Sequence, residues 1–139
     1  MHARSLALPI LALLAAPSHA QWSSSRAANL GVCDHSGDQA VPKAAAVGDG
    51  RTWIGWFDNT AGSYAVYVQL LDASGVEQFP HNGLLVSANA QSTSLVDWDL
   101  EADPSGDCVL VFTDTRAGSD LDVYAYRITP AGQFLWGAN

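Results

Sequence analysis

Asp97, Asp99, Glu101 and Asp103 alternate with Trp98, Leu100 and Ala102. That spacing puts four carboxylates on one face of an extended strand. Oxygen donors in such number suit calcium, so the four are a candidate calcium site. The plainer alternative is an acidic edge strand that resists pairing with another chain. An EF-hand loop is excluded because its mid-loop glycine is missing. Two further carboxylates, Asp58 and Asp114, each follow a short apolar run and precede a glycine turn. They read as side-chain caps of those turns, with Arg116 near enough in sequence to pair locally. Carboxylate catalysis would need a second acid or a cleft, and the spacing supplies neither.

The remaining reactive residues are sparse. In an oxidising compartment Cys33 and Cys108 could pair, a bridge that would constrain the unfolded chain by about 4 kcal/mol. Alternatively, Cys108 is a small apolar strand residue. Cys33, Asp34 and His35 hold metal-ligating types, but zinc sites show a second ligand pair that this stretch lacks. Trp53, Trp56, Trp98 and Trp136 could form a stacking platform for a carbohydrate, although aromatics recurring in strands are more often core. His81 has no Ser or Cys partner in a recognisable motif. No G-x-S-x-G, P-loop or H-E-x-x-H sequence occurs, so no catalytic activity is evident and no cofactor other than calcium is expected.

Residues 1–20 read as a signal peptide. Arg4 gives the positive start, Leu6 to Ala16 the apolar run, and Ser18-His19-Ala20 the small residues before cleavage. The run is shorter than the roughly 20 residues needed to span a bilayer, so no membrane span is expected and the location is periplasmic or extracellular. Fourteen acidic against six basic residues give a net charge of −8, which disfavours nucleic-acid partners and anionic membrane surfaces. The five tryptophans and a charged fraction of only 14% argue against disorder.

The elements that must position these groups are legible as two copies of one pattern. Residues 44–83 and 100–139 align at an offset of 56, with one extra residue near Leu121 in the second copy. A period of that length belongs to stacked or radial repeats. Residues 21–38 form a Ser- and Ala-rich N-terminal arm, 39–93 the first repeat and 94–139 the second. Apolar runs rich in Val, Tyr, Ile and Trp predict strands over about 42–47, 52–57, 64–71 and 76–86, then 95–102, 108–113, 121–128 and 132–136. Gly62 and Gly75 in the first copy, and Gly118 and Gly132 in the second, mark the turns. The fold class is therefore all-β, as two antiparallel four-stranded meanders.

Trp56, Asp58, Gly62, Tyr67 and Gly75 recur as Phe112, Asp114, Gly118, Tyr124 and Gly132, with Arg116 and Trp136 completing the second set. This pattern resembles the W-x-D-x-R-x-G and D-V-Y-x-Q-R repeats of exported bacterial β-propeller-like proteins. The resemblance covers residues 44–139 and implies one blade per repeat and a role in binding or scaffolding. Thr60 stands where the family pattern has Arg, and Tyr126 where it has Gln. The second copy stops at Asn139, inside the motif that reads Phe79-Pro80-His81-Asn82-Gly83 in the first. A propeller closes with about four to eight blades, so the chain is expected to be a fragment of a longer protein. A ring completed by other subunits and a two-sheet sandwich are the other outcomes. Gly48-Asp49-Gly50-Arg51-Thr52-Trp53 is similar to the Asp-box turn of sialidase propellers but one residue short. The rival expectation is the opening segment of a sialidase- or glycosidase-type hydrolase. Expected partners are further blades or subunits, with a protein or carbohydrate ligand.

Overall fold

The computed structural model describes residue 25 and residues 27–91 and 97–137; the expected signal peptide lies outside the described residues. Seven strands and no helix make up this part: β1 (Gln39–Ala46), β2 (Thr52–Asp58), β3 (Tyr64–Leu71), β4 (Leu84–Gln91), β5 (Asp99–Ala102), β6 (Cys108–Asp114) and β7 (Asp122–Ile128). They form two antiparallel meanders, β1-β2-β3-β4 and β5-β6-β7. The tight turns match between the sheets. Gly75 N–H bonds the carbonyl of Asp72 at 2.9 Å and Gly132 N–H that of Thr129 at 2.8 Å, and both glycines hold the positive φ that such a turn requires.

Two expected strands are corrected. The fourth strand starts at Leu84 rather than residue 76, and the stretch 132–136 contributes one bridge, Ile128 to Phe134, instead of a strand. The cause in the first sheet is the side chain of Gln69. Its amide oxygen accepts from Phe79 N–H at 3.0 Å and its amide nitrogen donates to the carbonyls of Phe79 and Pro80, both at 3.2 Å. Those bonds hold the backbone as a loop, and Pro80 has no N–H to offer a ladder. β1 also departs from regularity: its register shifts between Ala40 and Lys43, where Val41 takes φ 51° before Pro42. The Val41 carbonyl freed there accepts the indole N–H of Trp98 at 3.1 Å.

The sheets pack against each other over one core. Trp53, Phe57, Val68 and Leu70 come from the first sheet and Leu100, Leu110, Phe112 and Ile128 from the second. Phe57 meets Trp98 at a ring separation of 5.4 Å, and a Cβ placed on Gly55 would lie 2.7 Å from Leu100 Cδ1. The close approach of the strands there depends on the absent side chain. Trp53 is fully buried and its indole N–H donates to the carbonyl of Gly106 at 3.0 Å, which ties β2 to the turn before β6.

The direction of this packing is informative. Cross-strand register sets Trp53, Gly55 and Phe57 on the face of β2 that meets the second sheet. At the offset of 56 their counterparts are Val109, Val111 and Thr113, which lie on the opposite, outer face of β6. Conversely Phe112 and Asp114 face the first sheet, while their counterparts Trp56 and Asp58 face away from the second. The two sheets therefore stack front to back. The outer face of the second sheet is left with Val111 and Val123 exposed, the latter at 70%.

Candidate functional site

The carboxylates at the ends of β2 and β6 are each buried and each held differently. Asp114 Oδ1 accepts the backbone N–H of Arg116 at 3.0 Å, the turn cap, and the Arg116 Nε donates to both carboxylate oxygens at 2.9 Å. A second guanidinium nitrogen also pairs with Oδ2. The same guanidinium donates to the Tyr126 hydroxyl at 2.7 Å and to Ser87 Oγ at 3.2 Å, and it lies 3.7 Å above the Tyr124 ring. Burial alone would raise the Asp114 pKa, but the bonds from Arg116 outweigh it and hold the carboxyl below its ordinary value. The Arg116 pKa is raised in turn, first by its bond to Asp114.

Asp58 occupies the matching place in the first sheet without an arginine, because Thr60 stands two residues on. Its Oδ1 accepts Thr60 N–H at 2.8 Å. Its Oδ2 faces the N-terminal arm, where His35 Nδ1 lies at 3.0 Å and Cys33 Sγ at 3.5 Å. Gln39 Nε2 reaches the same oxygen at 3.4 Å. Burial opposes ionisation here too, yet the bonds from Thr60, His35 and Cys33 keep the pKa lowered. The Cys33 thiol is pushed up, by burial first and by the neighbouring Asp58 charge. The arm is fixed by Asp34 N–H on Asn82 Oδ1 and Asp38 N–H on Asn59 Oδ1, both at 2.7 Å. His35 packs edge-on to Tyr67 at 5.8 Å, as Arg116 packs over Tyr124. The arm thus delivers an imidazole to the place that the Arg116 guanidinium fills in the other sheet.

The other candidate residues fall elsewhere. The four carboxylates of residues 97–103 line the outer side and end of β5, spread over about 20 Å of extended chain. Asp99 is taken up by Lys43 at 3.3 Å and Asp103 by Arg127 at 2.6 Å. Among the described residues they do not gather as an ion site; the one such gathering is Cys33, His35 and Asp58. Both cysteines are free, so the bridge is not formed: Cys33 sits on Asp58 while Cys108 is buried between the sheets with its thiol pushed up to about 12. The four tryptophans do not form a platform, because Trp53, Trp56 and Trp98 are buried and of the four only Trp136 is exposed. His81 pairs at the surface with Glu77 at 3.0 Å and Asp34 at 3.4 Å. Among the described residues no helix is long and apolar enough to cross a membrane.

Sequence reading placed Asp58 only as a turn cap. It missed that Cys33 and His35, 25 and 23 positions earlier, return to it. The one available signal was Thr60 in place of Arg, which removes the local counter-charge of a carboxylate. Comparison with protein-family models, curated proteins and solved structures finds no match to this chain.

The Asp114 geometry fixes a pH response. Its folded pKa lies below its unfolded one, near 3.9, so the unfolded chain binds the proton more readily. The stabilisation is complete above the unfolded value and is lost as pH falls through the folded value. Urea midpoints should stay level towards pH 5 and drop below about pH 4. Asp114→Asn should be less stable at neutral pH and lose less on acidification; an unchanged acid slope would contradict the assignment.

Proposed function

We propose that the chain is an exported β-repeat module that acts by binding and scaffolding rather than catalysis. Each sheet is one blade-like unit, and a further unit of the same kind, in this chain or another, seats on the outer face of the second sheet. The observation that supports this reading is the front-to-back packing. A sandwich of two equivalent sheets joined by a two-fold relation would bring the same residues of each into contact. Here Trp53, Gly55 and Phe57 are covered while their counterparts Val109, Val111 and Thr113 meet no third sheet among the described residues. A succession of units is the arrangement in which that face has a partner. Apolar residues gathered at an open face also mark an interaction surface.

The occupant is identified by its chemistry: a β-sheet face bearing large aromatic and carboxylate residues, as Trp56 and Asp58 bear in the first sheet. Sedimentation velocity over a rising concentration series tests this. The chain is expected to self-associate, and Val123→Asp is expected to return it to monomer with an unchanged circular dichroism spectrum, because that side chain contributes little to the monomer's core. A chain that stays monomeric throughout, with Val123→Asp indistinguishable from it, would overturn the reading.

A further inference from the structure

We infer that Cys33, His35 and Asp58 form a binding site for a zinc-type divalent cation that fastens the N-terminal arm to the first sheet. Three different donor atoms, a thiol sulfur, an imidazole nitrogen and a carboxylate oxygen, lie within 4.8 Å of one another. Two of the separations are 3.0 and 3.5 Å. Tetrahedral zinc with ligands at about 2.0–2.3 Å requires its donors about 3.3–3.8 Å apart, so the residues need only small adjustments to close on an ion. The donor types select among metals. One sulfur and one nitrogen with a single carboxylate suit zinc or cobalt, whereas calcium and magnesium call for a shell of oxygens. Three protein ligands leave the fourth position to water.

The surroundings support the assignment independently of the donors. Asp58 is almost wholly buried, and a buried carboxylate is costly unless a cation accompanies it. In the second sheet Arg116 is that cation, covalently present and bonded to both oxygens of Asp114. Thr60 deprives Asp58 of it. The bonds from His35 and Cys33 both go to Oδ2 alone, whereas Arg116 bonds both oxygens of Asp114. A metal uses all three groups. The carboxylate is also aimed: Thr60 N–H holds Oδ1 and leaves Oδ2 towards Cys33 and His35, while Gln39 Nε2 bonds both Oδ2 and the His35 carbonyl. Outer contacts of this kind orient ligands at metal sites. The backbone N–H of Asp34, between the two arm ligands, and that of Asp38, beyond them, are fixed to Asn82 and Asn59, so the arm reaches the site already folded onto the sheet.

The full chain, purified reduced and stripped with chelator, is titrated with cobalt and then with zinc. One equivalent of cobalt is expected to give a sulfur-to-metal charge-transfer band with the visible absorption of a tetrahedral centre, and zinc should displace it. Cys33→Ser should remove the charge-transfer band and weaken binding at least about tenfold, while Cys108→Ser changes neither. Thr60→Arg rebuilds the arrangement of the second sheet. It is expected to abolish binding with no loss of thermal stability, which separates a lost site from a lost fold. No stoichiometric binding by the reduced chain, or the same cobalt spectrum in Cys33→Ser, would overturn the proposal.

Discussion

Trp53→Ala is expected to cost the fold about 3–5 kcal/mol, the range for emptying the place of a large buried aromatic. The side chain is fully buried between the sheets, it packs on Phe79 at a ring separation of 5.8 Å, and its N–H is the donor to Gly106 O. Alanine leaves both a cavity and a carbonyl without that partner. For a small domain with total stability of about 5–15 kcal/mol this is a large share. Urea unfolding followed by tryptophan fluorescence measures it. Trp53→Phe separates the contributions: it keeps most of the apolar volume, loses the hydrogen bond and should cost clearly less. A loss below about 1 kcal/mol for alanine would mean that β2 does not sit between the sheets as described.

Arg116→Met is the second large effect. The methionine keeps much of the stem but withdraws the guanidinium, and Asp114 remains buried with its charge uncompensated. Breaking such a pair from one side costs about 3–5 kcal/mol, much more than an exposed ion pair contributes. The loss falls on several contacts at once, since the same group holds the hydroxyl of Tyr126, Ser87 of β4 and the face of Tyr124. Thermal unfolding near neutral pH should show the full effect. Pairing the substitution with Asp114→Leu, which removes the stranded charge, should recover a good part of it. If the double variant is as unstable as the single one, the charge is not the cause.

Much of the architecture was readable because its causes are local. The runs Trp53–Phe57 and Cys108–Phe112 are short, apolar and bounded by turn residues, and the strands 52–58, 64–71, 108–114 and 122–128 fall within a residue of the expected ones. The failures have non-local causes. Residues 76–83 carry Val76 and Phe79 and read as strand, but Gln69 on a neighbouring strand binds their backbone into a loop. Nothing in the local pattern announces that. Of the acidic alternation over residues 97–103 only Asp99 and Glu101 lie in a strand, β5, and the claims of Lys43 and Arg127 on Asp99 and Asp103 depend on the pairing of distant strands. The cluster at Asp58 was the least visible. An arm without periodicity gives no hint of where it will lie, and only the folded sheet brings Cys33 and His35 back to the carboxylate.

Because like faces of the two sheets point the same way, their relation has a sense of direction and no built-in stop. A two-fold pair satisfies itself, whereas a succession of this kind goes on until it meets its own start or is blunted. The segment laid across the Asp58 end of the first sheet makes the two extremities unlike: one carries the arm, and the other is uncovered among the described residues. A unit seated over Val123 would meet uncovered strands, whereas one seated at the other extremity would have to pack around the arm.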